Sequence, residues 1–307
     1  MESDYKRTKD ILKEKMLHHL PQAGRFITPI DGLQFFRKDT LDKTGESENC
    51  FYKPLIIIVI QGFKHSVIGN ETYQYGEDYC VTCGMDLPAV TTLTKASNKN
   101  PFLSISLSLD RHLVSQLLAE EKNKINHEQK SEKNEEYKGT AISVTKTEKN
   151  VLDAFLRLIN LLDTPQEIPI LAPMIIREIH YRMLCSPHGC VIRAVSDVGT
   201  KSNRIADAVS WLREHYTEPF HVEILADKVN MSVPNFNRYF RAVTSLSPLQ
   251  FQKRLRLCEA QRLMVSVDKD ATQAAYAVGY ESTTQFNREY KRLFGAPPLR
   301  DTNWRRI

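Results

Sequence analysis

Met231 to Pro248 reads MSVPNFNRYFRAVTSLSP, and Tyr280 to Pro298 reads YESTTQFNREYKRLFGAPP. Both hold Phe-Asn-Arg, at Phe236-Asn237-Arg238 and at Phe286-Asn287-Arg288. An aromatic stands four residues past each phenylalanine (Phe240, Tyr290), and a proline stands twelve past it (Pro248, Pro298). The offset between the copies is 50 residues, which marks an internal duplication.

Upstream of each copy lies a short amphipathic helix, Ile224-Leu225-Ala226-Asp227-Lys228-Val229 in the first and Thr272-Gln273-Ala274-Ala275-Tyr276-Ala277-Val278 in the second. A small alanine (Ala226, Ala275) precedes a valine by three residues in both, where a second helix can cross closely. Asn230 and Gly279 follow, the residue types that best tolerate the left-handed conformation ending a helix. Ser232 and Ser282 are then N-caps for the next helices, and Ser282-Thr283-Thr284-Gln285 fits a capping box. Pro234 falls in a first turn, where its missing N–H costs nothing. The pattern predicts two helix-turn-helix units, over about residues 222–243 and 271–293.

With Phe236 and Phe240 turned inward at i, i+4, the first unit exposes Pro234, Asn237, Arg238 and Arg241. The second, with Phe286 and Tyr290 inward, exposes Thr283, Thr284, Asn287, Arg288 and Lys291, with Glu289 flanking that face. Amides, hydroxyls and guanidinium groups match the donor and acceptor patterns of a DNA major groove. Arg238 and Arg288 are the strongest base readers, because one guanidinium can bond guanine O6 and N7 together. Asn237 and Asn287 suit adenine or a phosphate, and Pro234 offers only apolar contact. Ser232, Ser282 and Lys253 are the expected phosphate contacts.

Between the units, Ser247-Pro248-Leu249-Gln250 combines a cap, a proline at the first helical position and a capping box. It opens a helix to about Ser266; some 18 residues span roughly 27 Å, which suits modules docked about one DNA turn, roughly 34 Å, apart. Leu255, Leu263 and Met264 take its buried positions, and Lys253, Arg254, Arg256 and Arg262 its polar ones, placed to meet phosphates.

This arrangement resembles the DNA-binding domain of the AraC/XylS family of bacterial transcription regulators, over about Arg204 to Trp304. The residues that carry the resemblance are Trp211-Leu212, Leu225-Ala226, Ser232, Phe236 to Phe240, Ser247-Pro248, Arg256, Ala260, Leu263-Met264, Val278-Gly279-Tyr280 and Phe294-Gly295. Two positions depart from the family pattern. Ser245 stands where a glycine is usual, which strains the loop after one recognition helix, and Thr272 replaces an isoleucine, which weakens a core contact.

At 307 residues the chain exceeds one comfortable core, so two domains are expected. Residues 200–307 hold 17 lysines and arginines against 11 acids, net +6, whereas residues 1–199 hold 25 against 26, net −1. The excess positive charge lies with the duplicated units, as a phosphate-seeking domain requires. MESDYKRTKD lacks the apolar core of a signal peptide, and the longest apolar run, Leu55 to Ile60, is too short to span a bilayer. Cytoplasm and six reduced cysteines follow as expectations.

From Phe35 to Leu109 the pattern favours strands. Pro54 to Ile60 is β-branched and short, Val67 to Tyr75 is a hairpin with Gly69-Asn70 at its turn, and Phe102 to Leu109 alternates strictly. Together they suggest a small antiparallel barrel or sandwich. Asp110 caps a short helix to about Leu118; Glu120 to Lys138 is charged and reads as a loop or frayed helix. Val151 to Leu162 and about Leu171 to Leu184 are helices able to pack together or against a second subunit.

This half is similar to the family's N-terminal domain at Gln61-Gly62-Phe63-Lys64, Tyr73-Gln74-Tyr75, Asp86-Leu87-Pro88, Ala96-Ser97, Leu156-Arg157-Leu158 and Leu171-Ala172-Pro173. The resemblance implies a cupin-like barrel with a role in sensing an effector or in dimerisation. The fold class is therefore α+β: residues 1–195 a cupin-like β-barrel with helices, 196–203 a linker, and 204–307 an all-α domain with two helix-turn-helix motifs.

Cupin enzymes gather histidine and acidic ligands on barrel strands, and here the strands offer only His65. No catalytic residue, metal or cofactor is expected. Cys80 and Cys83 form a CxxC, but on a strand i and i+3 point to opposite faces, which opposes chelation; Cys185 and Cys190 are a second close pair. The reading is an effector-responsive DNA-binding regulator, an activator by family habit, whose partners are double-stranded DNA, a small-molecule effector, RNA polymerase and a second copy of the chain. The competing readings are a metal-dependent cupin enzyme fused to a DNA-binding domain and an architectural protein that bends DNA without sensing.

Overall fold

The structure, a computed structural model, describes residues 2–41, 48–69, 71–125 and 140–305. Helix α1 (Glu2–His19) precedes nine strands: β1 (Gly24–Ile27), β2 (Leu33–Lys38), β3 (Glu48–Tyr52), β4 (Leu55–Gln61), β5 (Phe63–Ile68), β6 (Glu71–Gly76), β7 (Tyr79–Cys83), β8 (Leu87–Lys95) and β9 (Phe102–Ser108). Then come α2 (Arg111–Ile125), β10 (Ile142–Lys146), α3 (Lys149–Asn160), α4 (Ile168–Cys185) and α5 (Gly189–Ser196). The remainder is helical: α6 (Lys201–Glu214), α7 (Val222–Lys228), α8 (Val233–Thr244), α9 (Pro248–Ser266), α10 (Ala271–Ala277), α11 (Thr283–Phe294) and α12 (Pro298–Arg305).

The strands form two antiparallel sheets, one of order β1-β2-β9-β4-β7-β10 and one of order β3-β8-β5-β6. Side-chain alternation splits β4 between two cores: Ile56, Ile58 and Ile60 face α1, α3 and α4, while Val59 faces the smaller sheet. The same alternation separates the two cysteines of β7, with Cys80 in the helix-side core and Cys83 in the other. The Cys83 thiol donates to the Met85 carbonyl at 3.0 Å, and burial pushes the Cys80 thiol up to about 12.

Several elements differ from the sequence reading. The first residues form α1, whose buried Leu12 and Met16 pack with α3, and Thr8 bonds Asp153. The helix capped by Asp110 through the amides of His112 and Leu113 runs on to Ile125. Residues 126–138 of the charged stretch, like Asn70 of the hairpin turn, lie outside the described residues. Strand β10 pairs with β7 directly after that stretch.

Half of the expected linker 196–203 is helix: Ser196 ends α5, Thr200 caps α6 by accepting from the Asn203 amide, and 197–200 alone lie between. Helices therefore carry the chain almost continuously from one half to the other. The cores do not respect that boundary either. One cluster takes in Tyr52, Tyr75, Val81 and Leu87 from the strands and Ile205, Leu212, Phe236, Phe240 and Phe251 from the helices, whereas Leu257, Ala274, Val278, Phe286 and Tyr290 form a separate one.

Candidate nucleic-acid interface

Helices α8 and α11 owe their placement to the paired aromatics. Phe236 and Phe240, like Phe286 and Tyr290, are fully buried and lie 5.5 and 5.4 Å apart by ring centroid. From Ser232 to Ala242 and from Ser282 to Arg292 the exposure classes repeat residue for residue. Pro234, Asn237, Arg238 and Arg241 are exposed on α8; Thr284, Asn287, Arg288 and Lys291 are exposed on α11, and Thr283 is half-buried. Among the described residues no side-chain hydrogen bond or ion pair engages Asn237, Arg241, Thr284, Asn287, Arg288 or Lys291. Arg238 donates to Asn235 at 2.9 Å and lies 5.0 Å from the Tyr239 ring centre.

The turns follow the expected chemistry with two refinements. Asn230 and Gly279 hold φ of 53° and 84°, the left-handed region that asparagine and glycine enter most easily. Gly279 has a second reason to be glycine: a Cβ there would sit 2.2 Å from the Thr217 carbonyl oxygen. Ser232 and Ser282 both occupy N-cap positions, but only Ser282 caps with its hydroxyl, accepting from the Gln285 amide; Ser232 makes no such bond. The reciprocal half of the box at Ser282 is replaced by a bond from Gln285 Nε2 to Glu289. Full capping boxes open α9 at Ser247 and α10 at Asp270.

Of the two departures from the family pattern, Ser245 is strained as expected, with φ of 62° where Gly295 of the second copy has 80°. Thr272 is solvent-exposed, so it costs no core contact.

The spacer helix corrects the sequence reading most. α9 spans 19 residues, about 28 Å, and three of its cations, Lys253, Arg256 and Arg262, engage partners within the chain. Lys253, expected from the sequence to meet a phosphate, bonds Glu289 of α11 at 2.7 Å in an ion pair that periodicity does not announce. Burial opposes the Glu289 charge, yet hydrogen bonds from Lys253, Tyr280 and Gln285 hold its carboxyl below the usual range. Arg256 donates to the carbonyls of Tyr216, Thr217, Glu218 and Gly279, at 2.6, 3.1, 3.2 and 2.8 Å. Arg262 pairs with Glu259. Periodicity shows that these positions are polar; it gives no sign of carbonyl partners 23 to 40 residues away.

In the barrel, the hydroxyls of Tyr52, Ser66 and Tyr75 bond one another in a buried triangle, and Lys64 lies 5.6 Å from the Tyr52 ring centre. Burial raises the Tyr75 phenol well above its ordinary value. His65 is half-buried on β5, and among the described residues no group of three or more histidines, cysteines or acids gathers as a metal site requires. Also among the described residues, no helix is long and apolar enough to cross a membrane.

Comparison with known proteins bears on both halves. A family model for the AraC-type transcriptional regulator N-terminus matches residues 29–191, and one for a helix-turn-helix domain matches 225–303. The HTH-type transcriptional activator RhaS of Escherichia fergusonii is 30% identical over 95 residues, 31% of this chain and 34% of that protein. The HTH-type transcriptional regulator GbdR of Pseudomonas aeruginosa is 29% identical over 101 residues, 33% of this chain and 28% of that protein. The chain thus matches about a third of the length of these relatives. ToxT from Vibrio cholerae O395 shares the fold across both halves, with a TM-score of 0.56 at 12% identity, covering 89% of this chain and 97% of that one.

Proposed function

The chain belongs to the AraC-type transcriptional regulators, and from that membership we propose that it reads double-stranded DNA through α8 and α11 in successive major grooves. The observation that carries this reading is the repeated recognition face, with Asn237 and Arg241 matched by Asn287 and Lys291, all exposed and unengaged. Unspent donors on a helix face are what base-edge recognition uses. Arg238 and Arg288 bond bases, Thr283, Thr284 and Pro234 shape the groove contact, and Ser232 and Ser282 meet phosphates at the helix starts.

The N-terminal half senses a small molecule in this reading, with the Tyr52–Ser66–Tyr75 triangle and Lys64 as polar anchors. A second copy packs on α4, where Ile170, Met174 and Tyr181 are exposed beside a groove shared with α3. The protein acts in the cytoplasm, contacts RNA polymerase as an activator and performs no catalysis.

Selection of bound duplexes from a random pool tests the central claim. Enrichment of a bipartite sequence with its halves about one helical turn apart is the expected result. Binding that falls with salt and shows no preference among sequences would identify an architectural protein instead.

A further inference from the structure

The two helix-turn-helix units have separate cores: the first shares the cluster holding Phe240 and Phe251, and the second is built on Ala274, Phe286 and Tyr290. Something must fix one against the other if both are to meet one face of a duplex. At their junction the carbonyls of Tyr216, Thr217 and Glu218, from the loop between α6 and α7, converge with that of Gly279, from the turn between α10 and α11. A single guanidinium, that of Arg256, bonds all four. Gln252, one turn earlier on α9, donates to the Tyr216 and Glu218 carbonyls at 3.1 and 2.6 Å. The Tyr216 ring packs against both cores, and the Gly279 backbone comes so close to Thr217 that a Cβ would collide with it.

We propose that Arg256 is a positioning residue for DNA reading: it staples the two units into one rigid reader and so fixes the operator spacing the protein accepts. The proposal rests on the DNA-reading function stated above. Its physical basis is the shape of the side chain. A planar guanidinium presents five donors in a fixed fork and can hold the carbonyls of the loop leading into the first unit and of the second unit's turn at once. A lysine ammonium at the same place is a point charge that cannot span them. Without the fork, the units are joined by α9 and the contacts around Gly279, and each added base pair, which rotates one groove by about 34° relative to the other, is absorbed by relative motion.

The test compares the full wild-type chain with R256K on the duplex that wild type selects from a random pool, and on versions lengthened or shortened by one and two base pairs between the halves. Wild type is expected to lose tenfold or more in affinity with each spacing change. R256K is expected to bind the selected duplex about five- to tenfold more weakly and to discriminate among spacings by less than threefold, with its circular dichroism spectrum unchanged. Retention of the wild-type spacing preference by R256K overturns the proposal, as does equal tolerance of all spacings by wild type.

A second arm needs no DNA. Nitroxides introduced as unnatural amino acids at the exposed Asp227 on α7 and Arg292 on α11 should give a narrow distance distribution in wild type and a broad one in R256K. Equal widths refute the staple. Failure of wild type to select any duplex, alongside a narrow distribution that broadens in R256K, would refute the DNA-reading function and leave the staple standing.

Discussion

Replacing Lys253 by methionine separates an internal strut from a phosphate contact. The ammonium lies 2.7 Å from Glu289 Oε1, with the two side chains 35% and 14% exposed. At a charge separation of about 4 Å and an effective dielectric of about 20 the gross attraction is about 4 kcal/mol. Solvent reaches a third of the lysine, so much of that is screened, and ordering its long side chain costs up to about 2 kcal/mol. The carboxylate keeps bonds from Tyr280 at 2.7 Å and Gln285 at 3.2 Å after the change. A net loss of about 1–2 kcal/mol in urea unfolding at pH 7 is expected, below the 3–5 kcal/mol typical of breaking a fully buried pair.

K253M combined with E289Q should recover most of that loss, giving a coupling energy of about 1 kcal/mol in the double-mutant cycle. The sign with pH follows from the depressed Glu289 pKa. Its stabilisation is present above the unfolded carboxyl value, about 4.3, and is lost as pH falls through the depressed folded one, so wild type and K253M should converge only in acid, once the folded carboxyl is protonated. DNA affinity should drop with the slope of log affinity against log salt unchanged. Full stability combined with a salt slope smaller by about 1 would refute the strut and restore the phosphate contact.

Arg288→Ala should cost about 1–3 kcal/mol of binding, concentrated at one base position; equal loss on every base variant of the selected duplex would make it a backbone contact. Ser245→Gly removes a left-handed serine that costs about 1–2 kcal/mol, less about 0.4–1 kcal/mol for added freedom in the unfolded chain. It should raise the urea midpoint with m unchanged, and a lowered midpoint would mean that the Ser245 side chain's contact with Gly69 matters more. His188 is buried with Nδ1 unbonded, and burial lowers its pKa from 6.5 to about 4. A histidine depressed in the folded state stabilises above its unfolded pKa, so about 3 kcal/mol should drain away between pH 6.5 and 4; H188Q should flatten that slope, and an unaltered acid profile would contradict it.

What the sequence showed clearly was local. The spacing of Phe236 and Phe240, copied by Phe286 and Tyr290, sets which side of each recognition helix is buried, and no distant contact is needed to know it. Asn230, Gly279 and Ser247 likewise declare turn and cap through their own backbone chemistry. Elements with sparse or late apolar residues escaped: α1 buries Leu12 and Met16 amid charged neighbours, and β10 is five residues long. Arg256 and Lys253 escaped for another reason. A cation on a polar helix face has the same signature whether it meets a phosphate, a carboxylate on another helix or a cluster of carbonyls, and only the tertiary arrangement decides.

The same limit hides the packing that runs across the division near residue 204. Phe51 on β3 meets Phe251 of α9 edge-on at 5.6 Å, Phe251 meets Phe240 of α8 at 5.5 Å, and Asp86, after β7, pairs with Arg213 of α6. Burial pushes the Asp86 carboxyl up despite that partner. Tyr52, next to Phe51 on the strand, belongs to the hydroxyl triangle of the barrel. Dispersion contacts fade within a fraction of an ångström, and close-packed interiors transmit strain. A shift of β3 therefore either opens a void against Phe251 or carries Phe251 with it, and α8 follows through Phe240. The first helix-turn-helix is thus part of the barrel's own packing, while the second reaches the barrel through α9 and the Arg256 junction.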